Sequence, residues 1–257
     1  MPEASRASLR ALGQGITDQL GHGTPAHRSR PLYQGTLPGL GDYTREALWG
    51  SVWARPGLVL RDRMLATLTV LASLQRLQQL RTYLHSALNL GVDAVEVHEV
   101  LIQCSVHGGF PVTVNTMEVL REVLEARGVT TTMPEVPEVP VEELDRRGRQ
   151  LHLELFGVLP EEAPEGSVAA ALGLVELRFA FGEILSRPGL DRRARVIVGI
   201  AASLALRDEP ELARWSSAAP RVGLGGAERD EVVAQCAHYA GLAPSLRALR
   251  ASTPTGS

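Results

Sequence analysis

The sequence predicts an all-α protein built by tandem duplication, and three observations carry the prediction. Aromatic residues make up only 4% of the chain while Leu, Ala and Val abound, a balance that favours helices over pleated strands. Apolar residues recur at helical spacing, with Gly and Pro falling mostly between those stretches. The chain also repeats itself. Arg55-Pro56-Gly57-Leu58 returns 132 residues later as Arg187-Pro188-Gly189-Leu190. Without a gap, the same offset sets Arg61 on Arg193, Arg63 on Arg195, Leu80 on Leu212, Gly91 on Gly223, Glu99 on Glu231, Gln103-Cys104 on Gln235-Cys236 and Gly109 on Gly241.

The elements of the first copy follow in order. Residues 21–42, rich in Gly and Pro, read as a loop. An apolar helix over residues 44–54 is stopped by Pro56-Gly57. An amphipathic helix follows over residues 60–77, and another starts near Gln78 with Leu80, Leu84 and Leu88 on one face and Gly91 as its left-handed cap. Asp93 with Glu96 three residues on is a capping box opening a helix through His107. Pro111 suits the start of the next helix and Gly128 its end. Residues 130–142 contain three closely spaced prolines and form a stiff linker, dividing the chain into units 1–129 and 143–257. The second copy repeats the plan with helices over residues 141–157, 169–185, 191–206, 210–220 and 227–239 and a short final segment. The small polar ends, MPEAS and ASTPTGS, are expected to fray.

A length of 257 residues with 44% hydrophobic content supports a substantial core. A net charge of -3 and no basic block give no footprint for nucleic acid or an anionic membrane, so the expected partner is a small molecule. With no signal-peptide pattern and no apolar run of spanning length, a cytoplasmic protein is expected. All 26 basic side chains are Arg, which closes any route through a lysine Schiff base. Two distant cysteines make no disulfide framework, and the histidines lack the ligand spacing of a metal site.

The string Trp49-Gly50-Ser51-Val52-Trp53-Ala54-Arg55-Pro56-Gly57-Leu58 resembles the W-G-x-x-W-x-R-P-G-L signature of the carboxymuconolactone decarboxylase family, and Phe181 to Leu190 resemble it more loosely. Leu80-Arg81 followed by Asn89-Leu90-Gly91-Val92 is similar to the family's E-L-R-x-H helix and its N-N-G-V ending. Gln103-Cys104-Ser105-Val106-His107-Gly108-Gly109-Phe110-Pro111 is similar to its H-C-S-x-Y-A-G-x-P segment. The resemblance implies an AhpD-like helical unit in tandem, an intrachain pseudo-dimer, assembling into a homo-oligomer such as a trimer of these chains. It implies cofactor-free decarboxylation. The family's thiol-dependent peroxidase branch is disfavoured, because neither Cys104 nor Cys236 has a Cys-x-x-Cys partner.

The pocket positions depart from the family. Gln79 stands where the decarboxylases carry Glu and Tyr83 where they carry His; copy two has Glu211 and Trp215 there. The family's second His and its Tyr are Gln103 and His107 in copy one, Gln235 and Tyr239 in copy two. The leading expectation is a lyase or isomerase acting on a carboxylated or carbonyl-bearing cyclic compound, with its pocket mainly in copy one. Arg81 would hold the anion, Tyr83 and Gln79 would hydrogen-bond an enolate, and His107 or His85 would move the proton. Gln103, Trp49 and Trp53 would line the site, the tryptophans also packing between units. A natural-product cyclase that shapes its substrate and a non-catalytic scaffold are the alternatives. An open cavity edged by Arg81, Tyr83 and His107 would speak against the scaffold.

Overall fold

A computed structural model describes residues 5–21 and 39–252. The described residues hold twelve α-helices and no strand. The expected fraying of the ends falls largely outside them, as does most of the expected loop over residues 21–42.

Each copy begins with a helix laid against a π-helical stretch. In copy one α1 (Arg6–Leu20) packs on Thr44–Trp53, which continues α2 (Leu40–Tyr43). The expected loop therefore ends before Leu40. Two glycines permit the contact: a Cβ on Gly13 would lie 2.3 Å from the Arg45 carbonyl oxygen, and one on Gly50 would lie 2.2 Å from that of Leu9. In copy two α7 (Val141–Phe156) meets Glu176–Ile184, the π-helical continuation of α8 (Val168–Val175), through Gly148 and Gly182 in the same way. The widened turn brings Trp49 and Trp53 inward together, their rings 5.3 Å apart. Sequence reading expected neither α1 nor the π geometry.

The buried centre of copy one is α3 (Leu60–Ser73), followed by α4 (Leu77–Asn89), α5 (Ala94–Gly108) and α6 (Phe110–Arg127). The helix expected to run to residue 77 stops at Ser73. Gln75 takes a left-handed φ of 53°, and the Arg76 amide donates back to the Leu71 carbonyl at 2.8 Å. Arg207, 132 residues on, repeats this with φ 61°, and Asp208 N–H reaches Ser203 O at 2.9 Å. The Asp93–Glu96 capping box forms as expected, and Gly91 and Gly128 are left-handed. Copy two follows with α9 (Arg192–Leu206), α10 (Glu209–Ala218), α11 (Gly226–Ala240) and α12 (Leu242–Ser252). The linker carries no helix until α7 begins at Val141.

The copies share one core. α3 packs on α9, α5 on α9 and α11 on α3, so each copy buries part of its apolar surface against the other. No described helix is long and apolar enough to cross a membrane.

Candidate active site

Two reciprocal ion clusters fix how the copies meet. Glu231 of copy two accepts from Arg55 Nε at 2.8 Å and from Arg63 Nη2 at 2.9 Å. Glu99 of copy one accepts from Arg187 Nε at 3.0 Å and from Arg195 Nη2 at 3.2 Å. Both inner arginines also reach the carbonyl of the outer one, Arg63 to Arg55 at 2.8 Å and Arg195 to Arg187 at 2.7 Å. The repeated Arg-Pro-Gly-Leu string is therefore a clamp. Its glycine has no side chain to obstruct the opposing carboxylate, since a Cβ on Gly57 would lie 2.8 Å from Glu231 Cγ.

This clamp crosses the pocket segments over. The C-terminus of α5 meets α10, and the C-terminus of α11 meets α4, so each site takes one helix from each copy. Tyr83 and His107, expected to share a pocket in copy one, belong to different sites.

The first site is filled. Trp53 Nε1 donates to the Tyr239 hydroxyl at 2.9 Å, and the hydroxyls of Tyr239 and Tyr83 lie 2.6 Å apart. Trp49 and Trp53 each stack on Tyr83 with ring centres 6.1 Å apart. All four aromatics are buried or nearly so, and burial raises the Tyr239 phenol above its ordinary range. Such a phenol is an unsuitable base at neutral pH. Trp53 thus packs against copy two.

The second site is open. A cavity of about 380 Å³ lies between the α8 arm, α10 and the end of α5, with His107, Phe181, Glu211, Arg214 and Trp215 in its wall. The His107 ring meets Trp215 edge-on at 5.5 Å, and its Nε2 is buried without a hydrogen-bond partner among the described residues. Burial pushes the His107 pKa down to about 4; Glu211 opposes the shift and Arg214 adds to it. The imidazole is therefore neutral near pH 7.

Around it the carboxylate and guanidinium are held from several sides. Arg214 Nη1 donates to Glu176 at 2.9 Å and to Glu211 at 3.0 Å, and Glu211 accepts from Trp215 Nε1 at 3.1 Å. Arg214 also lies over the Phe156 ring at 4.6 Å. Its Nη2 is 3.0 Å from His152 Nε2, and His152 Nδ1 is 2.6 Å from Val158 O. Because Arg only donates, His152 must accept at Nε2 and carry its proton on Nδ1. Copy one has Thr82 and Thr44 at the positions of Arg214 and Glu176, so this network exists once. Gly199 makes room for Trp215: a Cβ there would lie 2.1 Å from the indole, and the matching residue in copy one is Thr67.

The remaining expected site residues sit elsewhere. Arg81 is exposed and paired with Glu122, and Gln79 is exposed. His85 is buried on α4, its pKa lowered by burial and by Arg127 and Arg81, and it lines neither this cavity nor the second one described below. Gln103 and Gln235 are buried braces between copies: Gln103 Nε2 donates to Arg195 O at 2.8 Å and Gln235 Nε2 to Thr67 Oγ1 at 3.1 Å. Cys104 and Cys236 are buried thiols whose pKa burial raises to about 12. Arg214, Glu176 and His152 were not anticipated. The sequence does carry one signal for Arg214, which lies three residues after Glu211 on one helix face.

Comparison with known proteins agrees with the duplication. The carboxymuconolactone decarboxylase family matches the chain twice, over residues 38–122 and 174–253. A 4-carboxymuconolactone decarboxylase of Acinetobacter baylyi is 38% identical over 81 residues, 32% of this chain and 60% of that protein. A nitrosuccinic acid decarboxylase of Metarhizium robertsii is 32% identical over 89 residues, 35% of this chain and 62% of that protein. The chain thus spans about three fifths of the length of each curated relative. With both halves matched and folded on one plan, this chain belongs to the carboxymuconolactone decarboxylase family.

Proposed function

We propose that the protein is a cofactor-free, decarboxylase-like lyase that acts on a small carboxylated compound, with His107 as its proton-transferring group. One observation carries the reading: His107 of copy one meets Glu211 and Arg214 of copy two on a single open cavity of about 380 Å³. Both relatives are named as decarboxylases. In the proposed reaction the bond between substrate carbon and carboxylate breaks, CO2 leaves, and the electron pair passes into an adjacent electron-withdrawing group. A proton then returns to carbon.

The cavity suits this sequence. Leu172, Val175, Phe179 and Phe181 make much of its wall apolar, which strengthens the few polar interactions inside. Arg214 is held by Glu176, Glu211 and His152, and in the proposed complex the substrate carboxylate takes the place of Glu176 on the guanidinium. His107 is neutral in the empty cavity. An anion bound beside it favours the imidazolium and raises its pKa, so His107 takes up a proton as substrate binds and delivers it after CO2 has left. Glu211 holds the Trp215 indole in place and supports the imidazolium electrostatically.

The test is CO2 release from carboxylated lactones and nitro-dicarboxylic acids by the wild-type chain and two variants. His107→Gln is expected to lower kcat/KM by about 100-fold or more, and His85→Gln to leave it near wild type. Full turnover by His107→Gln would remove the assignment.

A further inference from the structure

We propose that copy two holds a second small-molecule site, on the face of α10 opposite His107 and Glu211, which takes a compact apolar molecule bearing one carboxylate. The proposal does not depend on the lyase reading. A separate cavity of about 360 Å³ lies between the end of α9, α10, α11 and α12, a volume suited to one ring and a short chain. It shares only Ser203 and Asp208 with the His107 cavity.

The duplication provides an internal reference for this space. In copy one the corresponding volume is packed core: α6 lies on both α4 and α5, whereas α12 packs mainly on α11. Five fully or nearly buried residues of copy one change at the matching positions. Leu71 becomes Ser203, Leu84 becomes Ser216, Val97 becomes Arg229, Leu101 becomes Val233 and Val119 becomes Ala251. Each change removes apolar volume or introduces a polar head, and all five line the cavity. One helix pair has been emptied and relined while its twin stayed filled.

The lining specifies the ligand class. Leu204, Leu212, Val233 and Ala248 supply an apolar floor, with the hydroxyls of Ser203 and Ser216 beside it. At the rim, Arg229 pairs with Asp230 at 2.7 Å and Arg247 with Glu209 at 2.9 Å. The Arg207 guanidinium has no ionic partner among the described residues. Its left-handed backbone holds the residue at the cavity edge. Asp208 is engaged as the α10 cap, accepting from Glu211 N–H at 3.1 Å, which leaves the Arg207 guanidinium to meet one negative charge; the three rim carboxylates, Asp208, Glu209 and Asp230, already balance the three rim arginines and disfavour a dianion.

Titration calorimetry on the full chain with 4-phenylbutyrate as the probe tests this. Saturable binding at one site is expected. Ser216→Leu, which restores the copy-one residue, should weaken it at least tenfold with helicity retained. Arg207→Gln, on the exposed rim, should weaken 4-phenylbutyrate several-fold and leave 4-phenylbutanol unchanged. Ile184→Trp, which fills the His107 cavity, should leave binding intact. Absence of saturable binding up to millimolar probe would overturn the proposal, as would binding that survives Ser216→Leu and disappears in Ile184→Trp. An unchanged preference for acid over alcohol in Arg207→Gln would overturn the anionic class.

Discussion

Replacing Glu99 by Gln keeps the side-chain volume and removes the one negative charge that faces Arg187 and Arg195. Glu99 and Arg195 are both fully buried, and the Arg187 side chain is 17% exposed. Arg187 can recover some hydration, but Arg195 cannot. Its Nε and Nη1 already lack partners among the described residues, so the carboxylate and the Arg187 carbonyl are its principal compensation. Breaking a buried pair by removing one partner costs about 3–5 kcal/mol. For a chain of this size each kcal/mol moves the midpoint by about 2–4 °C, so Glu99→Gln is expected to melt about 6–20 °C below wild type. Far-UV circular dichroism during a thermal ramp measures it. Glu118→Gln is the control, because Glu118 and Arg121 pair on the surface with both side chains more than half exposed, and its midpoint should not move. A shift of less than about 2 °C for Glu99→Gln would refute the reasoning, since by the same scaling the buried charge would then contribute about 1 kcal/mol or less.

Other outcomes follow from the two sites. His107 titrates at about 4 in the fold against 6.5 for an ordinary histidine. The unfolded chain therefore binds its proton first, and stability is lost as pH falls from 6.5 towards 4; His107→Gln should flatten that part of a stability-against-pH curve measured by urea unfolding. Tyr239→Phe takes the acceptor from the Trp53 indole N–H and removes one partner of the Tyr83 hydroxyl. It should cost about 1–3 kcal/mol and shift tryptophan fluorescence, while CO2 release at the other site persists. Gly199→Ala drives a methyl into Trp215 and should destabilise by about 1–3 kcal/mol, with lyase activity falling further than stability alone explains; unchanged kinetics would show that the indole position is not critical.

Much of the fold was legible because its signals are local. The Asp93–Glu96 box, the glycine caps and the 132-residue register each depend on a few adjacent side chains. α1 was not read because the offset drifts there: Gly13 and Gly148, which make the same contact, lie 135 residues apart. The π-helical stretches were hidden because their side chains read as an ordinary apolar helix. The site was legible in its parts and not in its pairing. Spacing on a helix shows that Arg214 and Glu211 share a face, but it says nothing about which copy supplies the histidine opposite. That is decided by the Arg55, Arg63, Arg187 and Arg195 clamps, which act across more than eighty residues of sequence. Tyr83 and His107 therefore read as neighbours and fold apart.

The crossing of the pocket segments bears on how such a chain can change over time. In a symmetric pair of identical subunits one codon writes the same residue into both sites, so a change that closes one closes the other. Joined in a single chain, codons 83 and 239 belong to one site and codons 107 and 215 to the other. One site could fill with Trp53, Tyr83 and Tyr239 and become a brace, leaving its twin free to acquire Arg214, Glu176 and His152. Fusion thus places the two sites under separate selection.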